Sequence, residues 1–139
     1  MKLVSPAPKP IRKILIVDDD ATIRDAIRLA LEEQDYLTFQ FTECASVTAG
    51  IQKMKQAKPD IVILDLHMPD KTGFDFMKIM KNNNQLAQTK VIMLTADDTI
   101  GNILQAEHTG INAFHFLAKP FNISDLQALV LSLSLPLKM

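Results

Sequence analysis

Pro59-Asp60-Ile61-Val62-Ile63-Leu64-Asp65-Leu66-His67-Met68-Pro69-Asp70-Lys71-Thr72-Gly73 decides the fold. Four consecutive apolar residues, from Ile61 to Leu64, end on a carboxylate and run into turn chemistry. A short apolar run bounded in this way reads as a strand. Side chains alternate between the two faces of a strand, so an apolar residue at every position means that both faces are covered. Strands of this kind occur in parallel sheets with helices packed on each side.

Three other runs share the pattern. Ile14-Leu15-Ile16-Val17 precedes Asp18-Asp19-Asp20, and Val91-Ile92-Met93-Leu94 precedes Thr95. Phe114-His115-Phe116-Leu117-Ala118 precedes Lys119. Strands are therefore expected over Lys13–Val17, Ile61–Asp65, Val91–Thr95 and Ala113–Leu117. A further one, over Tyr36–Thr42, alternates only in part. Helices fill the gaps. Thr22–Glu33 carries Ile23, Ala26, Ile27, Ala30 and Leu31 on one face. Ser46–Lys55 carries Val47, Ile51 and Met54, despite Gly50. A helix from about Phe74 to Lys81 ends at Asn82-Asn83-Asn84, and another covers Thr99–His108. After Lys119-Pro120, Asn122 opens a final helix with Asp125 as a capping-box-like partner. Its core stripe is Leu126, Leu129, Val130 and Leu133, which leaves Leu131 and Leu135 off the core face.

Five strands alternating with five helices make a doubly wound α/β sandwich. Sites in such folds lie at the carboxyl ends of the strands, beside a topological switch point. Asp18, Asp19, Asp65, Thr95 and Lys119 all fall at such ends.

The bulk numbers exclude other classes. A chain of 139 residues suits one domain with a real core. Residues 1–10 read as a proline-rich tail or linker, 11–135 as the domain and 136–139 as a C-terminal tail. No apolar stretch approaches the roughly 20 residues that span a bilayer, and no secretory leader is visible. A net charge of −1 supplies no field for nucleic acid. Cys44 is the single cysteine and reads as a small buried side chain. A cytoplasmic location follows as the default. No phosphate-binding glycine motif is present.

The chemistry of the four strand ends is coherent. A carboxylate such as Asp65 can attack phosphorus and form an acyl phosphate. Asp18 and Asp19 add charge beside it, a costly crowding unless a cation offsets it. Oxygen ligands alone favour a hard ion such as Mg²⁺. Asp20 precedes Ala21-Thr22-Ile23 and reads as a helix cap.

Val17-Asp18-Asp19, Leu64-Asp65-Leu66-His67-Met68-Pro69, Leu94-Thr95-Ala96 and Lys119-Pro120-Phe121, in this order and spacing, resemble the receiver domain of the two-component response-regulator family. The resemblance covers roughly residues 11–135. It implies a flavodoxin-like sheet of order 2-1-3-4-5, with Asp65 as phospho-acceptor. It further implies Mg²⁺ held by Asp19, Asp65 and the His67 backbone carbonyl, with Asp18 acting through a water. Thr95 and Lys119 would contact the phosphoryl group, and Lys119-Pro120 would be cis. His67 and Asp97 would tune the dephosphorylation rate. An aromatic on the last strand would respond to Thr95 and switch the surface of the fourth helix, fifth strand and fifth helix. The offset from Lys119 points to Phe116, and the spacing from Gly110 points to Phe114. Both share one strand face.

The implied partners are a histidine kinase or a histidine phosphotransfer protein, without direct nucleic-acid or membrane binding. The implied chemistry is self-phosphorylation and autodephosphorylation, without turnover of an external substrate. The leucine-rich last helix is a candidate contact for a homodimer or a missing output domain. The chain is either a free-standing receiver or part of a longer protein. A second reading is a small haloacid-dehalogenase-type phosphatase, because Asp18-Asp19-Asp20-Ala21-Thr22 also fits D-x-D-x-T after a strand. That reading uses Asp18 and Asp20 and leaves Asp65 unexplained.

Overall fold

Local chain chemistry accounts for where each element begins and ends. The computed structural model describes residues 9–82, 89–96 and 114–135. Its strands are β1 (Ile11–Val17), β2 (Thr38–Cys44), β3 (Ile61–Asp65), β4 (Lys90–Thr95) and β5 (Phe114–Ala118). The described helices are α1 (Ala21–Glu32), α2 (Val47–Ala57), α3 (Gly73–Asn82) and α4 (Ile123–Ser134). All strand pairs are parallel, in the order β2-β1-β3-β4-β5. The order reverses between β1 and β3, so the carboxyl ends of these two strands flank the switch point.

Strand parity divides the core in two. Leu15, Val17, Val62, Leu64, Val91 and Met93 face Val47 and Met54 of α2 and Phe76, Met77 and Met80 of α3. Ile14, Ile16, Ile61, Ile63, Ile92 and Leu94 face Ile27, Ala30 and Leu31 of α1 and Leu126 and Val130 of α4. Each of these Val, Leu, Ile, Met and Phe side chains contributes about 1.5–3 kcal/mol on burial. The continuous apolar runs are thus covered on both sides, as their composition requires.

The caps follow their sequence signals. The Asp20 carboxylate accepts the Thr22 N–H at the start of α1. Ser46 Oγ accepts the Ala49 N–H in α2. Thr72 and Asp75 bond reciprocally at the start of α3, side chain to backbone in each direction. Asn122 Oδ1 accepts from Ser124 and Asp125 at the start of α4. Helix α2 ends at Lys58, which takes the left-handed conformation with φ of 47° and donates its N–H to the Met54 carbonyl.

Several strand boundaries differ from the sequence expectation by one or two residues. Strand β2 begins at Thr38 rather than Tyr36 and ends at Cys44 rather than Thr42. The Gln34 side chain accounts for the start, and pairing with Ile16 and Val17 carries the strand on to Cys44. Gln34 Oε1 accepts the N–H groups of Tyr36 and Leu37, and Gln34 Nε2 donates to the carbonyls of Leu31 and Leu37. These bonds hold Tyr36 and Leu37 in a turn, with Tyr36 72% exposed and Leu37 buried. Strand β1 starts two residues before Lys13 because Ile11 and Arg12 pair with Thr38 and Phe39. The expected helix Thr99–His108 lies outside the described residues, as do Asp97 and the side chain of Phe114.

Candidate functional site

Strand β1 extends its pairing by one residue, since the Asp18 N–H donates to the Cys44 carbonyl at 3.1 Å. This places the Asp18 side chain inside the protein, with no exposed surface. Its Oδ1 accepts the Asp20 N–H at 2.9 Å. Its Oδ2 accepts from Lys119 Nζ at 3.0 Å. Asp65 closes β3 and is 6% exposed. Its Oδ1 accepts the His67 N–H at 3.0 Å, and its Oδ2 accepts from the same Lys119 Nζ at 3.1 Å. One ammonium therefore bridges the carboxylates on either side of the switch point.

Lys119 is brought there by β5, whose neighbour β4 accepts the Lys119 N–H at the Thr95 carbonyl, 2.8 Å away. The Lys119-Pro120 bond is cis. Thr95 is fully buried at the end of β4. Asp19 is exposed, yet its carboxylate belongs to the group. Asp18, Asp19 and Asp65 each offer an oxygen within 4.8 Å of the others.

The electrostatics are unbalanced. Burial pushes the Asp18 carboxyl above its ordinary range. The Asp20 N–H and Lys119 oppose this, and the Asp65 charge adds to it. Burial alone would disfavour charge on Lys119, but its hydrogen bonds to Asp18 and Asp65 outweigh that and raise its pKa. Three carboxylates face one ammonium, and like charges about 4 Å apart repel by about 4 kcal/mol at an effective dielectric of 20. A cation bound among the acids would offset this repulsion. The donor set is oxygen only, which fits a hard ion such as Mg²⁺ on Asp18, Asp19 and Asp65.

The remaining expected residues are dispersed. His67 presents an exposed side chain beside the site and contributes its backbone N–H to Asp65. Phe116 is half-buried and packs on the sheet face that carries Leu15, Val17 and Met93. His115 is exposed on the opposite side of β5. Asp20 caps α1 and is not among the clustered acids. Cys44 is buried, and burial pushes its thiol pKa up, in keeping with a packing role.

Two residues gain importance that the sequence did not signal. Arg24 donates Nη1 to the Asp18 carbonyl at 2.6 Å and Nε to Glu43 at 3.2 Å. Its position one turn after the Asp20 cap was the available hint. Asp70, read as turn chemistry, accepts from the N–H groups of Val47 and Thr48 and from the Thr48 hydroxyl.

This fold, with clustered acids, a buried threonine and a lysine at one sheet edge, defines a class of signalling domain. Residues 14–131 match the response regulator receiver domain, and the chain belongs to that family. It is 35% identical over 115 residues to the KDP operon transcriptional regulatory protein KdpE of Escherichia coli, covering 83% of this chain and 48% of that protein. It is 30% identical over 120 residues to response regulator Rre1 of Synechocystis, covering 86% and 50% respectively. The chain spans about half the length of these curated relatives. Among solved structures it resembles the chemotaxis protein CheY4 of Vibrio cholerae, with a TM-score of 0.78 and 28% identity over 88% of this chain and 98% of that one. It also resembles the receiver domain of Francisella response regulator 1452, with a TM-score of 0.75, 28% identity and coverage of 88% and 95%.

The chain is a receiver domain of two-component response regulators, a signalling module rather than a metabolic enzyme. Family membership, together with the engagement of Asp20 as a cap, sets aside the phosphatase reading. Among the described residues, no helix is long and apolar enough to cross a membrane.

Proposed function

We propose that this receiver domain accepts a phosphoryl group on Asp65 from a histidine kinase or histidine phosphotransfer protein in the cytoplasm, in a Mg²⁺-dependent reaction. The observation that carries the reading is the Asp65 carboxylate itself. It ends β3 at the switch point, shares Lys119 with buried Asp18, and lies within reach of Asp19. A carboxylate oxygen of Asp65 forms the new O–P bond as the N–P bond of the donor phosphohistidine breaks. The donor imidazole leaves and takes a proton from solvent. Asp18, Asp19, Asp65 and the His67 carbonyl would hold Mg²⁺, which when bound supplies positive charge to the carboxylates and the phosphoryl oxygens.

The protein's own groups complete the site. Lys119 turns from bridging two acids to holding a phosphoryl oxygen. The Thr95 hydroxyl donates to another, and Phe116 follows Thr95 on the neighbouring strand. Hydrolysis of the acyl phosphate returns Asp65 to its starting state, at a rate tuned by His67 and Asp97. The last helix serves contacts with a second copy or an output domain.

The test is incubation with a small phosphodonor, with and without Mg²⁺, read by intact mass. The wild-type chain gains one phosphoryl group only with Mg²⁺. Asp65→Asn gains none, and Asp20→Asn gains one as wild type does. Phosphorylation of Asp65→Asn at the wild-type level rejects the assignment.

A further inference from the structure

Every polar group of the Asp18 main chain and side chain is engaged, and one of its partners is a guanidinium from outside the acid–lysine cluster. The N–H donates to Cys44, Oδ1 accepts from Asp20 and Oδ2 from Lys119. The backbone carbonyl accepts from Arg24 Nη1 at 2.6 Å. That carbonyl belongs to the peptide between Asp18 and Asp19. The plane of this peptide sets where the Asp19 Cα, and hence its carboxylate, stands relative to Asp18.

Arg24 is itself held. Its Nε donates to Glu43 Oε1 at 3.2 Å, and its side chain is only 18% exposed. Glu43 lies on β2 directly across from Ile16 and next to Cys44, whose carbonyl takes the Asp18 N–H. Arg28 grips the second Glu43 oxygen from one turn further along α1. Strand β2 therefore braces Asp18 on both sides, through Cys44 at its own N–H and through Glu43 and Arg24 at the carbonyl of the Asp18-Asp19 peptide. The planar guanidinium suits this task because one fork can serve a carboxylate and a carbonyl together.

We infer that Arg24, oriented by Glu43, is a positioning residue of the divalent-cation site. It acts through the Asp18-Asp19 peptide and touches neither the cation nor the phosphoryl group. This rests on the reading of Asp18, Asp19 and Asp65 as the cation's ligands. Outer groups that orient a metal ligand are commonly worth 10- to 100-fold in affinity. Here the oriented group is a peptide rather than the ligand atom, so the lower end of that range applies.

The test is Mg²⁺ titration by calorimetry on the full chain, beside thermal melting in a chelator. Arg24→Met is compared with Arg28→Met, which also removes a Glu43 partner but leaves the carbonyl bond. Arg24→Met weakens Mg²⁺ binding about 10-fold, and Arg28→Met leaves it within twofold of wild type. With excess Mg²⁺, phosphorylation of Arg24→Met by a small phosphodonor returns to the wild-type rate, because only the ligand geometry was loosened. Arg24→Lys, which retains a donor for the carbonyl, recovers part of the affinity. If Arg24→Met is recovered unfolded, Glu43→Gln is read in its place against the same criterion, at a smaller loss. Equal Mg²⁺ affinity in wild type and Arg24→Met, or an equal loss in Arg24→Met and Arg28→Met, overturns the inference while leaving the metal site intact. A wild-type chain that takes up no Mg²⁺ removes the metal reading and this inference with it.

Discussion

Asp18 is a charge held where burial opposes it. A fully buried carboxylate beside a second one is retained at a cost in stability when no cation is present. Asparagine keeps an acceptor for the Asp20 N–H and removes the charge. Asp18→Asn is therefore expected to raise metal-free stability by about 1 kcal/mol, a few degrees in Tm. The same change shrinks the stabilisation that Mg²⁺ confers on the wild type. Melting in chelator and in excess Mg²⁺ checks both halves, and a lower Tm for Asp18→Asn in chelator contradicts the first. The pH sign agrees. A carboxyl whose folded pKa is raised keeps its proton in the native state after the unfolded chain has lost it. Its contribution therefore falls as pH rises from the unfolded value through the folded one.

At the scale of elements, the loop after β3 and the helix α2 are joined through Asp70. Its pKa is lowered to about 2: burial alone would raise it, but the bonds from the Thr48 backbone and hydroxyl and the Val47 N–H outweigh this. The unfolded value is near 3.8, so the contribution of Asp70 is fully present above that and is lost as pH falls towards about 2. Asp70→Asn should flatten the acid limb of the stability profile in that window, as followed by circular dichroism. An acid limb identical to wild type would show that the cap does not stabilise the fold. Helix α2 also explains a residue that counted against it in the sequence. A Cβ at Gly50 would stand 3.0 Å from Val17 Cγ2 and 3.3 Å from Phe76 Cε2. The helix tolerates glycine there because α2 must lie close against β1 and α3.

At the scale of the whole molecule, α4 closes the sheet face that α1 leaves open. Gln127 Nε2 donates to the Ala30 carbonyl, and Arg12 Nε donates to the Ser134 carbonyl. Leu126 and Val130 are fully buried, while Leu135 is 47% exposed. Leu126→Ala should cost about 2–5 kcal/mol, a large share of the 5–15 kcal/mol typical of a domain. Leu135→Ala should stay within about 0.5 kcal/mol. Urea unfolding separates the two, and equal losses would mean that Leu135 has a partner of its own. The off-core placement expected for Leu135 agrees with its exposure, whereas Leu131 is half-buried.

Strand ends, caps and the alternation of elements were legible in the chain because they are local. A continuous apolar run, a turn residue or a capping side chain acts within a few positions of itself. The five strands, the acids at two of their ends and the burial of Cys44 could all be read this way. The start of β2 could not, since it depends on Gln34 folding back on its own turn. Nor could the difference between Asp18 and Asp19, adjacent residues of one kind, one enclosed and one exposed. That difference, like the bonds of Lys119, Arg24 and Asp70, arises where atoms 101, 6 and 22 or 23 positions apart meet in space. Local pattern selects the groups that reach the sheet edge, and packing decides which of them lose their water and to which partner each is bound.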